Sequence, residues 1–426
     1  MVRDGRVPGG TVAGVAETRT AAPDQAHYRP GASPPRPAPT PMSRIATRPL
    51  FALVAALATI AAPADAGPHR PWTFAVSGDS RNCGNLVMPA IASAVHGEGA
   101  DFYWHLGDLR RIRGIDEDYV RERRFTEARP SFDDYIRDAW PDFKAHQVKA
   151  FGDTPFFVGI GNHETIQPKT RGEFEREFEA MLDRPELKAQ RVRDEKRLPP
   201  GMVGTARTYY HWIVDGIDFI NLDNAVGDRF DDAQLAWFDA VVAAAISDRT
   251  VRTVVVGMHE ALPHSLADHH SMCSSNDGIL SGEKVYRKLV EAHKRGKHVY
   301  VLASHSHYYL ENLYATKYWQ DPRHGGVVLP GWIVGTAGAV RYPLPAEVAP
   351  GPGARSHVYG YLSGRVGADG DIAFTYHELT RADIDAALPP DYGPGDAAFC
   401  FEENPRLEEI GRSPAAPSCL AGEQEH

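Results

Sequence analysis

The chain has 426 residues, 42% of them hydrophobic, and a formal net charge of −10 at pH 7. That length and apolar content are enough to bury a large core, as one α/β domain with insertions or as two or three domains. The acidic balance offers no electrostatic footprint for nucleic acid, which excludes that class of partner.

Residues 1–41 are rich in Pro, Ala, Gly and Arg without apolar periodicity, a composition that cannot offset the entropy of ordering. Met42, Arg44 and Arg48 then precede an apolar stretch from Leu50 to Ala62 and the triplet Ala64-Asp65-Ala66. A basic region, a short apolar run and a small-x-small site make a secretory signal peptide, and the run is too short to cross a bilayer as a helix. The expectation is a disordered or upstream extension at 1–41 and a signal peptide at 42–66. The mature protein would be secreted or periplasmic and start near Gly67, with an uncleaved membrane anchor as the competing reading. Removing the +3 of residues 1–66 from the total leaves −13 for residues 67–426, so an anionic substrate has to be held by local arginines. Four cysteines in an oxidising compartment point to disulfides. Of the three pairings we favour Cys400 with Cys419, which share the Pro-rich tail 381–426, and Cys83 with Cys273.

Trp72 to Ser77 reads as a strand ending in Gly78-Asp79-Ser80-Arg81, followed by a helix from Asn85 to Val95. Phe102 to Leu106 is a strand ending in Gly107-Asp108, and a charged segment from Arg110 to Lys149 reads as a helical insertion over the sheet edge. The strand Phe156 to Ile160 ends in Gly161-Asn162-His163-Glu164, and Arg171 to Arg197 is a second charged insertion. Asp215-Gly216 joins Tyr209 to Val214 and Ile217 to Leu222 as a hairpin. Asp232 to Ala245 is helical, the strand Thr253 to Val256 leads into Gly257-Met258-His259, and Gly278 to Lys294 is helical. The strand His298 to Leu302 leads into Ser304-His305-Ser306-His307, and further strands are expected at Trp332 to Val334, Tyr359 to Val366 and Ile372 to Tyr376. The alternation argues for an α/β protein with parallel pairing.

Side chains just past the C-terminal ends of buried parallel strands point into a crevice where ligands sit. Five such ends carry Asp79, Asp108, Asn162 with His163, His259, and His305 with His307. Carboxylates, imidazoles and one amide oxygen make a ligand field suited to manganese, iron or zinc rather than calcium or magnesium. Six candidate ligands exceed one tetrahedral ion, so two ions sharing a carboxylate are the economical solution.

The blocks Gly-Asp, Gly-Asp, Gly-Asn-His-Glu, Val-x-x-His and His-x-His, in that order between Phe74 and Tyr376, resemble the calcineurin-like metallophosphoesterase superfamily. That superfamily includes purple acid phosphatases, cyclic nucleotide phosphodiesterases and acid sphingomyelinases. The resemblance implies a four-layer α/β/β/α sandwich, two mixed sheets flanked by helices, over a domain at 67–380. It also implies two metals bridged by Asp108, with Asp79 and His307 on one and Asn162, His259 and His305 on the other. His163 would then donate the proton to the leaving alcohol, with Glu164 or the neighbourhood of Asp108 as its acidic partner, and a small phosphomonoester or phosphodiester would be hydrolysed by metal-activated water. Two positions depart from the pattern. Arg81 stands where many members have a histidine ligand, and Arg111 stands where purple acid phosphatases have a tyrosine. Arg81 can clamp a phosphoryl group bidentately or pair with a carboxylate such as Asp108, with Arg110 and Arg111 as weaker clamps. A chain with the fold but without turnover, binding only metal or phosphate, is the alternative function. His264, His269 and His270 read as solvated loop residues, as lining of the pocket or as ligands of a further ion, and Tyr308, Tyr309, Trp332 and Tyr342 as core or as a surface for a substrate ring.

Overall fold

The computed structural model describes residues 71–124, 130–203, 207–267, 270–404 and Cys419. The expected extension at 1–41, the signal peptide at 42–66 and His269 lie outside these residues. Among the described residues no helix is long and apolar enough to cross a membrane.

In chain order, β1 (Trp72–Ser77), α1 (Gly84–Glu98) and β2 (Phe102–His105) are followed by α2 (Glu117–Glu122), α3 (Phe132–His146) and β3 (Phe156–Val158). Three helices, α4 (Arg171–Glu177), α5 (Glu179–Leu182) and α6 (Pro185–Asp194), form the second insertion. Next come β4 (Tyr210–Val214), β5 (Ile217–Asn221), α7 (Asp232–Ser247), β6 (Thr253–Met258), α8 (Asn276–Lys294) and β7 (His298–Ala303). The chain continues through β8 (Tyr309–Glu311), α9 (Lys317–Gln320), β9 (Gly331–Val334), β10 (Ala354–Arg355), β11 (Tyr359–Val366) and β12 (Ile372–Leu379). It ends with α10 (Arg381–Ala386) and α11 (Pro394–Glu402).

The strands form two mixed sheets. One has five strands in the order β12-β11-β1-β2-β3, and the other seven in the order β10-β8-β9-β7-β6-β5-β4. β1, β2 and β3 are parallel, as are β5, β6, β7 and β9, with antiparallel strands at the edges. The β4–β5 turn puts Asp215 and Gly216 both at positive φ, 47° and 79°, as a tight hairpin turn requires.

The sheets meet through an aromatic layer. Phe74 and Phe102 of the first sheet lie 5.0 and 5.1 Å from Phe219 of the second, and Phe157 stacks on Trp212 at 4.0 Å. Burying rings of this size stabilises by roughly 1.5–3 kcal/mol each, which makes this layer the main bond between the sheets. Trp104 crosses it to donate to Asn221 Oδ1 at 3.0 Å. α7 and α8 cover the outer face of the second sheet with Phe238, Val241, Val285 and Leu289, while α1 covers the first with Leu86, Val87 and Ile91. The layers therefore run helix, sheet, sheet, helix.

Three expectations need correction. The segment from Arg110 to Lys149 is part of the core, because α3 buries Trp140 and Phe143 in the main apolar cluster and Arg110 is itself fully buried. The C-terminal region is packed up to Asn404, with Ile384, Ala397 and Cys400 in that same cluster. The disulfides run Cys83–Cys400 and Cys273–Cys419, with Cα separations of 5.9 and 5.5 Å. The favoured pairing failed because α11 docks beside the N-terminus of α1 and brings Cys400 to Cys83.

The second insertion is tied to the sheet by a buried charge cluster. His211 on β4 lies 2.8 Å from Asp194 at the end of α6 and 2.7 Å from Asp218 on β5. Burial works to lower the imidazole pKa, but the two carboxylates outweigh it and raise it to about 9. A histidine raised in the folded state contributes fully below its ordinary 6.5 and loses that contribution as the pH climbs through about 9. Urea unfolding of the wild type should therefore lose up to about 3 kcal/mol between pH 6.5 and 9.5, and His211→Gln should flatten the slope. Removing the Cys83–Cys400 link, which closes 317 residues, should cost roughly 2–5 kcal/mol, read as a lower melting temperature of Cys400→Ser. Non-reducing peptide maps should recover the two linked pairs.

Candidate functional site

The loops after β1, β2, β3, β6 and β7 meet at one end of the sandwich and bring the side chains predicted for the site together. Three of these residues are held in the left-handed region, Asp79 at φ 62°, Asp108 at 58° and His305 at 65°. Such backbone costs on the order of 1–3 kcal/mol per residue, and strain of this kind collects where side chains must be aimed. Gly107 and Gly161 make the approach possible. Gly107 has φ 95°, and a Cβ on Gly161 would run into the backbone nitrogen and carboxylate of Asp108.

One group of atoms consists of acceptors. The Nδ1–H of His259 donates to the Leu106 carbonyl at 3.1 Å, which leaves Nε2 with a bare lone pair. That Nε2 lies 3.1 Å from Asn162 Oδ1, 3.3 Å from Asp108 Oδ1 and 3.0 Å from His305 Nδ1. With the His305 proton on Nε2, facing Glu260 Oε1 at 3.9 Å, four lone pairs converge. Asp108, His259 and His305 place ligand atoms within 4.8 Å of one another. Acceptors crowded in this way repel unless a cation lies among them, so these residues fit a metal ion. A histidine that anchors its far nitrogen on a carbonyl is the usual outer support of a metal ligand. Ser304, which donates to the same Leu106 carbonyl at 3.0 Å and lies 3.1 Å from His259 Nδ1, holds that support in place.

The second group surrounds Arg81. Its Nη2 donates to His307 Nε2 at 2.9 Å, and its Nε lies 3.6 Å from Asp108 Oδ2. His307 anchors its Nδ1–H on the Val340 carbonyl at 2.6 Å and turns Nε2 toward Asp79 Oδ1 at 3.2 Å. Burial alone would raise the Asp79 pKa, but the imidazoles of His307 and His259 outweigh it and hold the group below the usual carboxylate value. Burial likewise works against Asp108, yet its carboxyl is held well below the usual range, with the Arg81 guanidinium as a permanent positive charge beside it.

His163 faces two donors. The Ile112 amide donates to its Nδ1 at 3.1 Å, so the ring proton belongs on Nε2, which sits 2.8 Å from Arg81 Nη1. Two N–H groups thus point at the same place, an arrangement that the oxygen of an anion relieves. Burial, followed by the Arg81 guanidinium, pushes the imidazole down to about 3, so the ring is neutral near pH 7.

Glu164 has a different role from the one expected. Its carboxylate accepts from the amides of Gly161 at 2.8 Å, Asp108 at 2.9 Å and Leu109 at 3.0 Å. It therefore fixes the loop that carries Asp108 rather than orienting His163. Arg110 is no phosphate clamp, because Asp142, Asn85 and Asp118 engage it in the core. Arg111 pairs with Glu117 at 2.6 Å. His264 is buried against Tyr318 and bonded to Glu283, whereas His270 lies 5.4 Å from the His305 ring. Tyr308 and Tyr309 are core and Trp332 packs against it, but the Tyr342 ring lies tilted against His307 at 4.0 Å. Glu260 was not singled out from the sequence, although it directly follows His259.

No family model and no curated protein sequence matches the chain. Among solved structures it is similar to the purple acid phosphatase from yellow lupin (Lupinus luteus) seeds, at 15% identity over 76% of this chain and a TM-score of 0.46. The chain spans 57% of the length of that enzyme. It is also similar to a dimetal phosphatase from Danio rerio, at 13% identity over 72% of this chain and 99% of that one, with a TM-score of 0.40. A third likeness is to the anchor protein GAP50 of the Plasmodium inner membrane complex, at 11% identity over 75% and 96% of the two chains, with a TM-score of 0.39. Two of these proteins are phosphatases and one is an anchor, so the chemistry of this chain has to be argued from its side chains.

Glu164→Gln should leave the Leu109 amide facing an NH2 group. We expect a loss of roughly 1–3 kcal/mol in stability and roughly 10- to 100-fold weaker manganese binding by calorimetry. Unchanged binding would separate Glu164 from the placement of Asp108.

Proposed function

We propose that this chain is a calcineurin-like metallophosphoesterase that hydrolyses a small phosphomonoester or phosphodiester with a divalent metal ion, outside the cytoplasm. One observation carries the reading: a cluster of acceptors that calls for a cation lies beside a pair of donors that calls for an anion, and Asp108 touches both. Its Oδ1 is 3.3 Å from His259 Nε2 and its Oδ2 is 3.9 Å from His163 Nε2.

Asp108, Asn162, His259 and His305 would hold the ion, and their mixed nitrogen and oxygen donors suit manganese, iron or zinc. When bound, the ion supplies Lewis acidity toward the phosphoryl oxygens and toward water. The rest belongs to the protein. Arg81 Nη1–H grips a phosphoryl oxygen. His163 stays neutral, and its Nε2–H, aimed by the Ile112 amide that donates to Nδ1, hydrogen-bonds the ester oxygen that leaves as charge builds on it, the last proton coming from water. Glu164 and Gly161 keep Asp108 within reach of both partners. Tyr342 and His270 at the rim are placed to meet the leaving group. Two disulfides and the expected signal at 42–66 support an exported protein.

Hydrolysis of an aryl phosphate and a bis-aryl phosphate should appear with manganese or zinc and disappear with a chelator. His163→Ala should lower kcat by about 10²–10⁴-fold and leave metal content unchanged. Bound metal with no turnover of either ester would favour the binding protein without catalysis.

A further inference from the structure

The ligand count in the sequence called for two ions, but the structure puts a guanidinium where one of them would go. Arg81 Nη2 lies 2.9 Å from His307 Nε2, on the lone pair that a first-site ion would need. An imidazole ligand holds its ion at about 2.0–2.1 Å, so an ion and this Nη2 cannot both face His307. The Arg81 Nε lies 3.6 Å from Asp108 Oδ2, which has no hydrogen-bond partner although it is buried. Asp79 Oδ1, 3.2 Å from the same His307 Nε2, adds a further negative charge to the neighbourhood of the positive group. The guanidinium is only 14% exposed at its side chain, so it is part of the site and not a surface charge swung inward.

We propose that Arg81 is a built-in replacement for the first metal ion, and that the protein binds one ion per chain, at Asp108, Asn162, His259 and His305. The inference rests on the metallophosphoesterase reading and deepens it. Asp79 and His307 become residues that hold Arg81, and a guanidinium fixed by covalent linkage neutralises phosphoryl charge where an ion would otherwise do so. Because arginine stays protonated at any physiological pH, this half of the site is always charged, whatever the metal supply.

The test is to load the full chain with manganese, remove unbound ion, count metal by mass spectrometry and record the electron spin resonance spectrum. One ion per chain and the six-line signal of isolated manganese are expected. Arg81→His should take up a second ion and show a spin-coupled pair. His307→Ala should keep the single ion, and His259→Ala should lose it. Two ions or a coupled spectrum in the wild type would overturn the proposal, as would Arg81→His remaining at one ion. A wild type that binds no manganese or zinc at all would instead overturn the hydrolase reading beneath it. The wild-type count stands even if a variant fails to fold.

Discussion

The buried carboxylate of Asp108 is the constraint around which the site is built. A charge taken out of water has to be compensated nearby, because desolvation of an isolated carboxylate costs several kcal/mol even after relaxation. Here the compensation comes from the His163 amide, which donates at 3.0 Å, and from the Arg81 guanidinium at 3.6 Å. Two separate strand ends supply those groups, so they meet only when the loops after β1 and β3 are in register. The left-handed backbone at Asp108 and the three amides gathered by Glu164 are the local means of holding it there.

From that carboxylate the site divides into two halves of opposite demand. On one side lone pairs from Asn162, His259 and His305 converge, and on the other two N–H groups from Arg81 and His163 converge. The division follows from two tautomers, each set by a single backbone group. The Leu106 carbonyl makes His259 an acceptor toward the site, and the Ile112 amide makes His163 a donor. Imidazoles of one residue type are thereby given opposite tasks by what lies behind them. Arg81 belongs to both halves, since it answers the acceptors of His307 and Asp108 while turning an N–H toward the Nε2 of His163.

The scaffold fits this arrangement. The aromatic layer around Phe74, Phe102, Phe157, Trp212 and Phe219 locks the sheets face to face, which brings the ends of β1 and β2 opposite those of β6 and β7. The Cys83–Cys400 bond fastens α11 to the turn that carries Arg81, two residues before Cys83. The long connection thus restrains the segment on which the site depends most.

The amino-acid sequence by itself determined the strands other than the short β8 and β10, the main helices and the identity of the clustered side chains. Those follow from local periodicity and from polar residues placed directly after apolar runs, and Asp79, Asp108, Asn162, His259, His305 and His307 were all legible in that way. The roles were not. Glu164 lies next to His163 in the chain but serves the loop of Asp108, because a turn of 3₁₀ helix points its carboxylate back at Gly161. Cysteine partners could not be read from the sequence, since pairing depends on where α11 docks and not on distance along the chain. Above all, Arg81 was visible as a missing ligand that could clamp a phosphoryl group or pair with Asp108, and its hold on His307 was not. That its guanidinium lies on the lone pair of His307, 226 residues away, is a fact of tertiary structure, because only folding brings together the charges that hold it there.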